Sequence, residues 1–366
     1  MVAPLVAARF HPDFFLPRRI TMLRIITLRD SIPWFGKYTG YEYLPSTLGQ
    51  FDDITVMNVV PKKNLLRRLV GKTYSTVKGW PPRNQYHAAA ELEFSLRARF
   101  GVPDVLHVLY LEQHLRFIAS RGSQSIPSVG TIHQPPSRWD DQELKKLTFL
   151  SKAILLYRRD LAFFENYVGE GNVEFIRHGV DVNFFCPDDE LVDSTRVLYV
   201  GHHLRNMNML QRVATRLLDE RPDVQLDCLL PPRFRTHPAL RALGDHARVH
   251  WLSGLSDEEL RTLYQRSCLL LLPMNDSGAN TAVVEALGCG LPIVTCDVGG
   301  IRDYGGGDLF PVVANDDDDA MLKAVMEFLD VPEQRNEVGR ACRAFATSEL
   351  SWPHVARQHA TVYRSL

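Results

Sequence analysis

The chain has 366 residues, 45% of them hydrophobic and 23% charged, with 42 basic against 43 acidic side chains and a formal net charge of -1. That length exceeds one ordinary domain and that composition is too apolar for disorder, so two folded units are expected. Near-neutral charge supplies no global field for nucleic acid, and no nucleic-acid partner is expected.

Residues 1–20 mix Arg9, Arg18 and Arg19 with Pro4, Pro12 and Pro17, which reads as a weakly ordered leader. The β-branched run 23–28 predicts a first strand, followed by a loop carrying Lys37, Tyr38 and Gly40 and a helix from Glu42. Further strands are expected at 54–60, 105–111, 128–132, 153–157 and 173–176, with helices at 87–99, 112–120, 139–149 and 158–166 between them. The pattern restarts after the polar stretch Pro187-Asp188-Asp189-Glu190, which places a domain joint near 187–194. Strands are predicted at 196–200, 225–230, 249–252, 268–272, 292–296 and 309–313, alternating with helices at 209–218, 256–266, 281–289, 318–329 and 333–346. Such alternation implies an α/β chain with two parallel, doubly wound sheets facing across a cleft, ligands lying at the carboxyl ends of the strands.

Six cysteines, Cys186, Cys228, Cys268, Cys289, Cys296 and Cys342, form no CxxC pair and read as buried thiols in a reducing, cytoplasmic compartment. No apolar run approaches the ~20 residues needed to cross a bilayer. The stretch from Lys62 to Lys72 holds Lys62, Lys63, Arg67, Arg68 and Lys72 among leucines and no acidic residue. It is expected to be a surface segment able to touch anionic lipid at the inner face of a membrane. The acidic run Asp316 to Asp319 reads as a helix start, and no metal site is expected from it or from the scattered histidines.

The most informative stretch runs from Asp276 to Val294. It reads as a small-residue loop, a helix, a glycine stop, a proline and a strand. Gly278 and Ala279 let backbone approach a ligand, and Asn280 or Thr281 opens a helix whose free N–H groups face an anion. Glu285 lies one turn beyond Thr281 on the same side, where a carboxylate can accept from a pair of ribose hydroxyls. Gly299 and Gly300 supply a second glycine loop after the next strand.

At this point the sequence resembles family 4 of the glycosyltransferases, the retaining group 1 type with the two-Rossmann GT-B architecture. The likeness rests on Glu285 to Gly300 (EALGCGLPIVTCDVGG), on His178-Gly179-Val180-Asp181 with Phe185-Cys186-Pro187, on 251–264, and on Ser351-Trp352. It implies an N-terminal acceptor-binding domain (21–190), a C-terminal nucleotide-sugar-binding domain (191–346) and a final helix (347–366) returning to the first. It implies transfer of a sugar from a nucleotide-diphosphate sugar to a glycan, lipid-linked or small-molecule acceptor, in polysaccharide or glycoconjugate synthesis. Retention, front-face attack and independence of any metal or cofactor follow from the same likeness. The family's first motif glutamate falls on Ser277, and its usual clamp arginine and lysine fall on His202 and Asn208. Arg205 is the permanent cation left in that loop and is expected to take over the diphosphate. His133 resembles the family's N-domain histidine near donor sugar and acceptor, Gly40 its loop glycine, and Lys37 and Tyr38 are candidate acceptor contacts. A non-catalytic GT-B binding protein is the alternative, given the two departures. A nicotinamide oxidoreductase is disfavoured, because the loop after the first strand lacks GxGxxG.

Overall fold

The computed structural model describes residues 22–30, 36–80, 84–121 and 126–366; the leader 1–20 and Phe35 of the first loop lie outside them. The first half contains β1 (Leu23–Leu28), α1 (Tyr43–Leu48), β2 (Ile54–Val59), α2 (Leu65–Val77), α3 (Gln85–Gly101), β3 (Val105–Val108) and α4 (Leu111–Arg121). It continues with β4 (Ser128–Ile132), α5 (Asp141–Leu144), β5 (Lys152–Leu155), α6 (Leu161–Val168) and β6 (Val173–Phe175). The second half contains β7 (Arg196–Val200), α7 (Met207–Glu220), β8 (Gln225–Leu229), α8 (Pro232–Arg235), α9 (Arg241–Gly244), β9 (Val249–Leu252) and α10 (Asp257–Arg266). β10 (Leu269–Leu272), α11 (Thr281–Gly288), β11 (Ile293–Cys296), β12 (Val312–Val313), α12 (Asp318–Asp330), α13 (Pro332–Phe345) and α14 (Trp352–Arg364) complete it.

The strands form two parallel six-stranded sheets, ordered β2-β1-β3-β4-β5-β6 and β12-β11-β10-β7-β8-β9. Helices cover both faces, so the inner strands are buried at nearly every position: all residues of β4, β10 and β11 are buried. In each sheet the chain reverses direction beside its first strand. The resulting switch points lie between β1 and β3 and between β7 and β10, where a crevice opens at the carboxyl ends.

Local chemistry explains the helix starts. Asn206 caps α7 through Met209 N at 3.0 Å, and the apolar stripe Met209, Leu210, Val213, Leu217 of that helix is buried against its sheet. Ser256 and Glu259 form a reciprocal capping box that opens α10. Asp317 caps α12, while Asp316 and Asp318 pair with Arg212 and Asp319 pairs with Arg216, so the acidic run joins α12 to α7.

Two strand expectations are shortened. The strand predicted over 105–111 stops at Val108, because Leu111 already opens α4. The one predicted over 309–313 keeps only Val312 and Val313, since Gly305 and Gly307 turn through φ of 96° and 86° just before it. The link between the sheets buries Val180, Phe184 and Phe185 with the core of the second half, ahead of the polar 187–194 stretch. After a π-helical turn at Ala346–Leu350, α14 crosses back and buries Trp352, Val355, Ala356 and Tyr363 in the core of the first sheet. There Tyr363 bonds the buried His107 of β3 at 2.6 Å, and His359 bonds Tyr41 at 3.0 Å.

Candidate active site

The crevice of the second sheet is built by the loops after β7 and β10. The side chain of Asn280 caps α11, accepting from Ala282 N at 3.1 Å, and the same oxygen accepts from Nη2 of Arg205 at 3.2 Å. Arg205 also donates through Nε to the Val200 carbonyl and through Nη1 to that of His203, each at 3.0 Å. The guanidinium is therefore fixed beside the free amides at the front of α11, where partial positive charge of the helix and full charge of the side chain add. An open pocket of about 390 Å³ adjoins it, bounded by Arg205, Asn208, Asn275, His237 and Asp316. His202 stacks on Phe234 with ring centroids 3.7 Å apart, and burial lowers its pKa to about 4. It is neutral at physiological pH, so Arg205 and not His202 brings the cation to this loop.

Ser277 is buried and donates to the Gly278 carbonyl at 3.1 Å; its amide is held by Asp276 at 2.8 Å, and Asp276 pairs with Arg159 of the first half at 3.2 Å. Gly278 touches the other half directly: a Cβ there would lie 2.4 Å from the carbonyl oxygen of His133. Ala279 packs against the cores of both halves. Gly299 has φ of +56°, and a Cβ on it would sit 1.8 Å from the Ser277 carbonyl oxygen. Gly299→Ala is accordingly expected to destabilise the protein by about 3 kcal/mol, as a clash added to left-handed strain. Urea denaturation checks this, and an unchanged midpoint would show that the two glycine loops do not interlock as described.

Glu285 lies on α11 with its carboxyl buried between the halves. Oε1 accepts from Thr39 Oγ1 at 2.8 Å and Oε2 from Tyr264 OH at 2.9 Å. Burial raises its pKa from 4.5 to about 7, against the opposing effect of those two hydrogen bonds. The loop that brings Thr39 here is folded across the crevice: Lys37 N donates to Asp257 Oδ2 at 2.7 Å, and Gly40 turns through φ of 87°. Tyr38 stacks face to face on Phe184 at 3.7 Å, and the Lys37 ammonium approaches Tyr38 OH at 3.3 Å, so both stand at the outer rim of the cleft.

His133 follows β4 on the opposite wall. Its Nε2 faces the Leu109 carbonyl at 2.7 Å and so bears the proton, leaving Nδ1 as the acceptor nitrogen. Burial lowers its pKa to about 4, and the ring stacks on Tyr110 at 4.6 Å. Glu112 holds the loop by accepting from the amides of His133 and Gln134 at 2.5 and 2.9 Å. The structure thus gathers Arg205, Ser277, Gly278, Ala279, Asn280, Thr281 and Glu285 around one crevice with Gly40 and His133 facing them. Thr39 and Glu112 carried no local sequence signal, because their partners are distant in the chain or are backbone amides. Among the described residues no group of three or more His, Cys, Asp or Glu side chains is placed to hold a metal ion.

Residues 194–330 match the family model described as "Glycosyl transferases group 1". The MMP alpha-(1->4)-mannosyltransferase of Mycolicibacterium hassiacum is 28% identical over 309 residues, 74% of this chain and 74% of that protein. The GDP-mannose-dependent monoacylated alpha-(1-6)-phosphatidylinositol monomannoside mannosyltransferase of Corynebacterium glutamicum is 24% identical over 263 residues, 66% of this chain and 65% of that protein. Among solved structures, sucrose-phosphate synthase from Thermosynechococcus elongatus superposes with a TM-score of 0.74 at 16% identity, covering 93% of this chain and 98% of that one. Anabaena Alr3699/HepE in complex with UDP and glucose superposes with a TM-score of 0.70 at 16% identity, covering 94% and 100%. Its two facing parallel sheets are the GT-B fold, and the chain is a glycosyltransferase whose second half is similar to the group 1 glycosyl transferases.

Proposed function

We propose that the protein transfers a sugar, with retention of configuration and without a metal ion, from a nucleoside-diphosphate sugar held by the second sheet to an acceptor held by the first. The acceptor is a glycan, a lipid-linked sugar or a small molecule of polysaccharide or glycoconjugate synthesis. The observation carrying this reading is the junction of Arg205 with Asn280 at the front of α11, beside a pocket at the switch point. Departure of a nucleoside diphosphate leaves growing negative charge on phosphate oxygens, and preorganised donors aimed at that charge supply most of such a catalyst's power. Arg205 and the amides of 280 and 281 are those donors. Glu285 receives the ribose, whose hydroxyl takes over the place on Oε1 that Thr39 uses. His133, neutral and with a bare Nδ1, orients hydroxyls of the transferred sugar or the acceptor. The names of the relatives support a nucleotide-sugar donor, one of them being GDP-mannose-dependent.

The test is turnover in the presence of EDTA. The purified protein, given UDP-, GDP- and ADP-sugars with candidate acceptors, is expected to release nucleoside diphosphate from one of them. Binding of a nucleotide sugar with no release under any acceptor would favour a ligand-binding GT-B protein instead.

A membrane-borne acceptor suits the surface of α2. Leu65 and Leu66 are each 70% exposed and Leu69 54%, beside Lys62, Lys63, Arg68 and Lys72. Apolar side chains under a basic collar favour an anionic bilayer face, at about 1 kcal/mol per basic residue near the surface. The enzyme would then work peripherally, on the cytoplasmic side; among the described residues no helix is long and apolar enough to cross a membrane. Neutralising Lys62, Lys63, Arg67, Arg68 and Lys72 together is expected to abolish co-sedimentation with phosphatidylglycerol liposomes. Equal sedimentation of wild type and variant would remove this surface from the account.

A further inference from the structure

The switch point of the first sheet carries a set of side chains that the donor chemistry does not use. Asp30, just beyond β1, is buried and its Oδ1 lies 2.6 Å from Nε2 of His87 in the first turn of α3. One turn further along α3, Glu91 Oε1 lies 2.7 Å from Nδ1 of His114 on α4, and the two imidazole rings are 5.5 Å apart. Both carboxylates and His114 are nearly inaccessible, at 7%, 6% and 1% exposure. Burying two carboxylate–imidazole pairs side by side is costly, and one apolar pair in their place would stabilise the fold as well or better.

The hydrogen-bond inventory of the two rings is incomplete. Nε2 of His87 faces Asp30 Oδ1 at 2.6 Å with Asn84 Nδ2 also 3.2 Å away, and no hydrogen bond joins its Nδ1 to a described residue. His114 spends Nδ1 on Glu91, and its Nε2 is buried with no partner among the described residues. A buried polar atom such as His114 Nε2 ordinarily finds a protein or water partner, and one left over behind the half-buried His87 ring points to a ligand at this place. The cluster also adjoins the cleft. Tyr110 OH donates to Glu42 Oε2 at 3.1 Å, its ring stacks on His133, and the charge of Asp30 acts on both Glu42 and Tyr110. A continuous polar wall therefore runs from His133 past Tyr110 and Glu42 to His87, over the carboxyl ends of β1, β3 and β4.

We propose that His87, oriented by Asp30 and backed by the Glu91–His114 pair, is the hydroxyl-binding subsite for a neutral polyhydroxylated ring of the acceptor. The proposal rests on the transferase reading above and names the part of the acceptor this wall recognises. A carboxylate fixes the imidazole so that its free nitrogen accepts, and a ring hydroxyl donating to that nitrogen is held in one rotation. Asp30 and Glu42 make the wall favour hydroxyl groups over carboxylate or phosphate at this end, because a like charge brought beside them is repelled. Arg29 offsets part of the charge on Glu42.

Saturation-transfer NMR on the full chain tests this directly. Methyl α-D-glucopyranoside, methyl α-D-mannopyranoside and myo-inositol serve as neutral probes, and D-glucuronate as the anionic one. At least one neutral ring is expected to give a signal that falls at least tenfold in His87→Ala, with D-glucuronate giving none. Binding of UDP or GDP, at the other sheet, is expected to be the same in wild type and variant, which also reports that the fold is intact. Should the alanine variant unfold, His87→Gln keeps the side chain's bulk without the imidazole nitrogen and is expected to lose the signal equally. Equal signals in wild type and variants, or none from any neutral ring with the wild type, would overturn the proposal. Failure of every nucleoside diphosphate to bind would instead count against the donor reading, and the ring signals would still decide this one.

Discussion

Glu285→Gln is expected to stabilise the protein and disable it in one substitution. In the folded chain the carboxyl is buried and its pKa stands at about 7, against 4.5 for an unburied glutamate. A rise of that size corresponds to roughly 3 kcal/mol of destabilisation of the charged form. The sign follows from proton binding: between those two values the folded state keeps a proton that the unfolded chain has lost. Stability is therefore full below the unfolded value, falls as pH rises toward 7, and stays lower above it. Glutamine has no such titration, and its amide still accepts from Thr39. The variant should match the wild type near pH 4.5 and exceed it by up to roughly 3 kcal/mol at pH 8. Catalysis should move the other way. A ribose hydroxyl bonded to a carboxylate is worth about 1.5–3 kcal/mol, so kcat/KM is expected to fall about 10- to 100-fold. Urea midpoints at the two pH values and initial rates check the pair of effects. A variant that is less stable at pH 8, or fully active, would contradict the placement of this carboxyl.

Arg205→Ala is expected to lower kcat/KM by about 10²- to 10³-fold, the usual cost of removing one preorganised donor from a developing anion. Affinity for the nucleoside diphosphate should weaken in parallel, measured by calorimetry. Lysine at this position should recover little. The guanidinium reaches Val200, His203 and Asn280 at once through three nitrogens, a fork that a single ammonium cannot reproduce. Rates of the alanine variant within threefold of wild type would transfer the diphosphate to other groups, with Asn208 and His237 of the adjoining pocket next in line.

The sheets were legible because buried parallel strands are short apolar runs, and runs such as Leu269–Leu272 and Ile293–Cys296 are bounded by clear turn chemistry. The loop from Asp276 to Thr281 was legible for a related reason: small residues directly before a helix-opening Asn-Thr pair leave the backbone amides open to a ligand. What escaped was set by distance along the chain. Thr39 and Glu285 are separated by 246 residues, and nothing near Thr39 announces that its hydroxyl lies on that carboxylate. The helix α2 was foreseen only as a basic surface stretch. Its inner face holds just Gly71 and Ser75, small residues that let it sit on α3 without leaving an apolar stripe to read. Tyr38 was expected to meet the acceptor; its ring stacks on Phe184 at the rim of the cleft, a pairing of residues far apart in the chain that no local pattern reveals.

The most direct measurement is a crystal structure of the protein with an intact nucleotide sugar that turnover has identified. The diphosphate is expected within hydrogen-bonding reach of Arg205 and the amides of 280 and 281, with a ribose hydroxyl on Glu285 in place of Thr39. Density for the diphosphate anywhere outside the crevice between β7 and β10, or a ribose that leaves the Thr39–Glu285 bond untouched, would contradict the account.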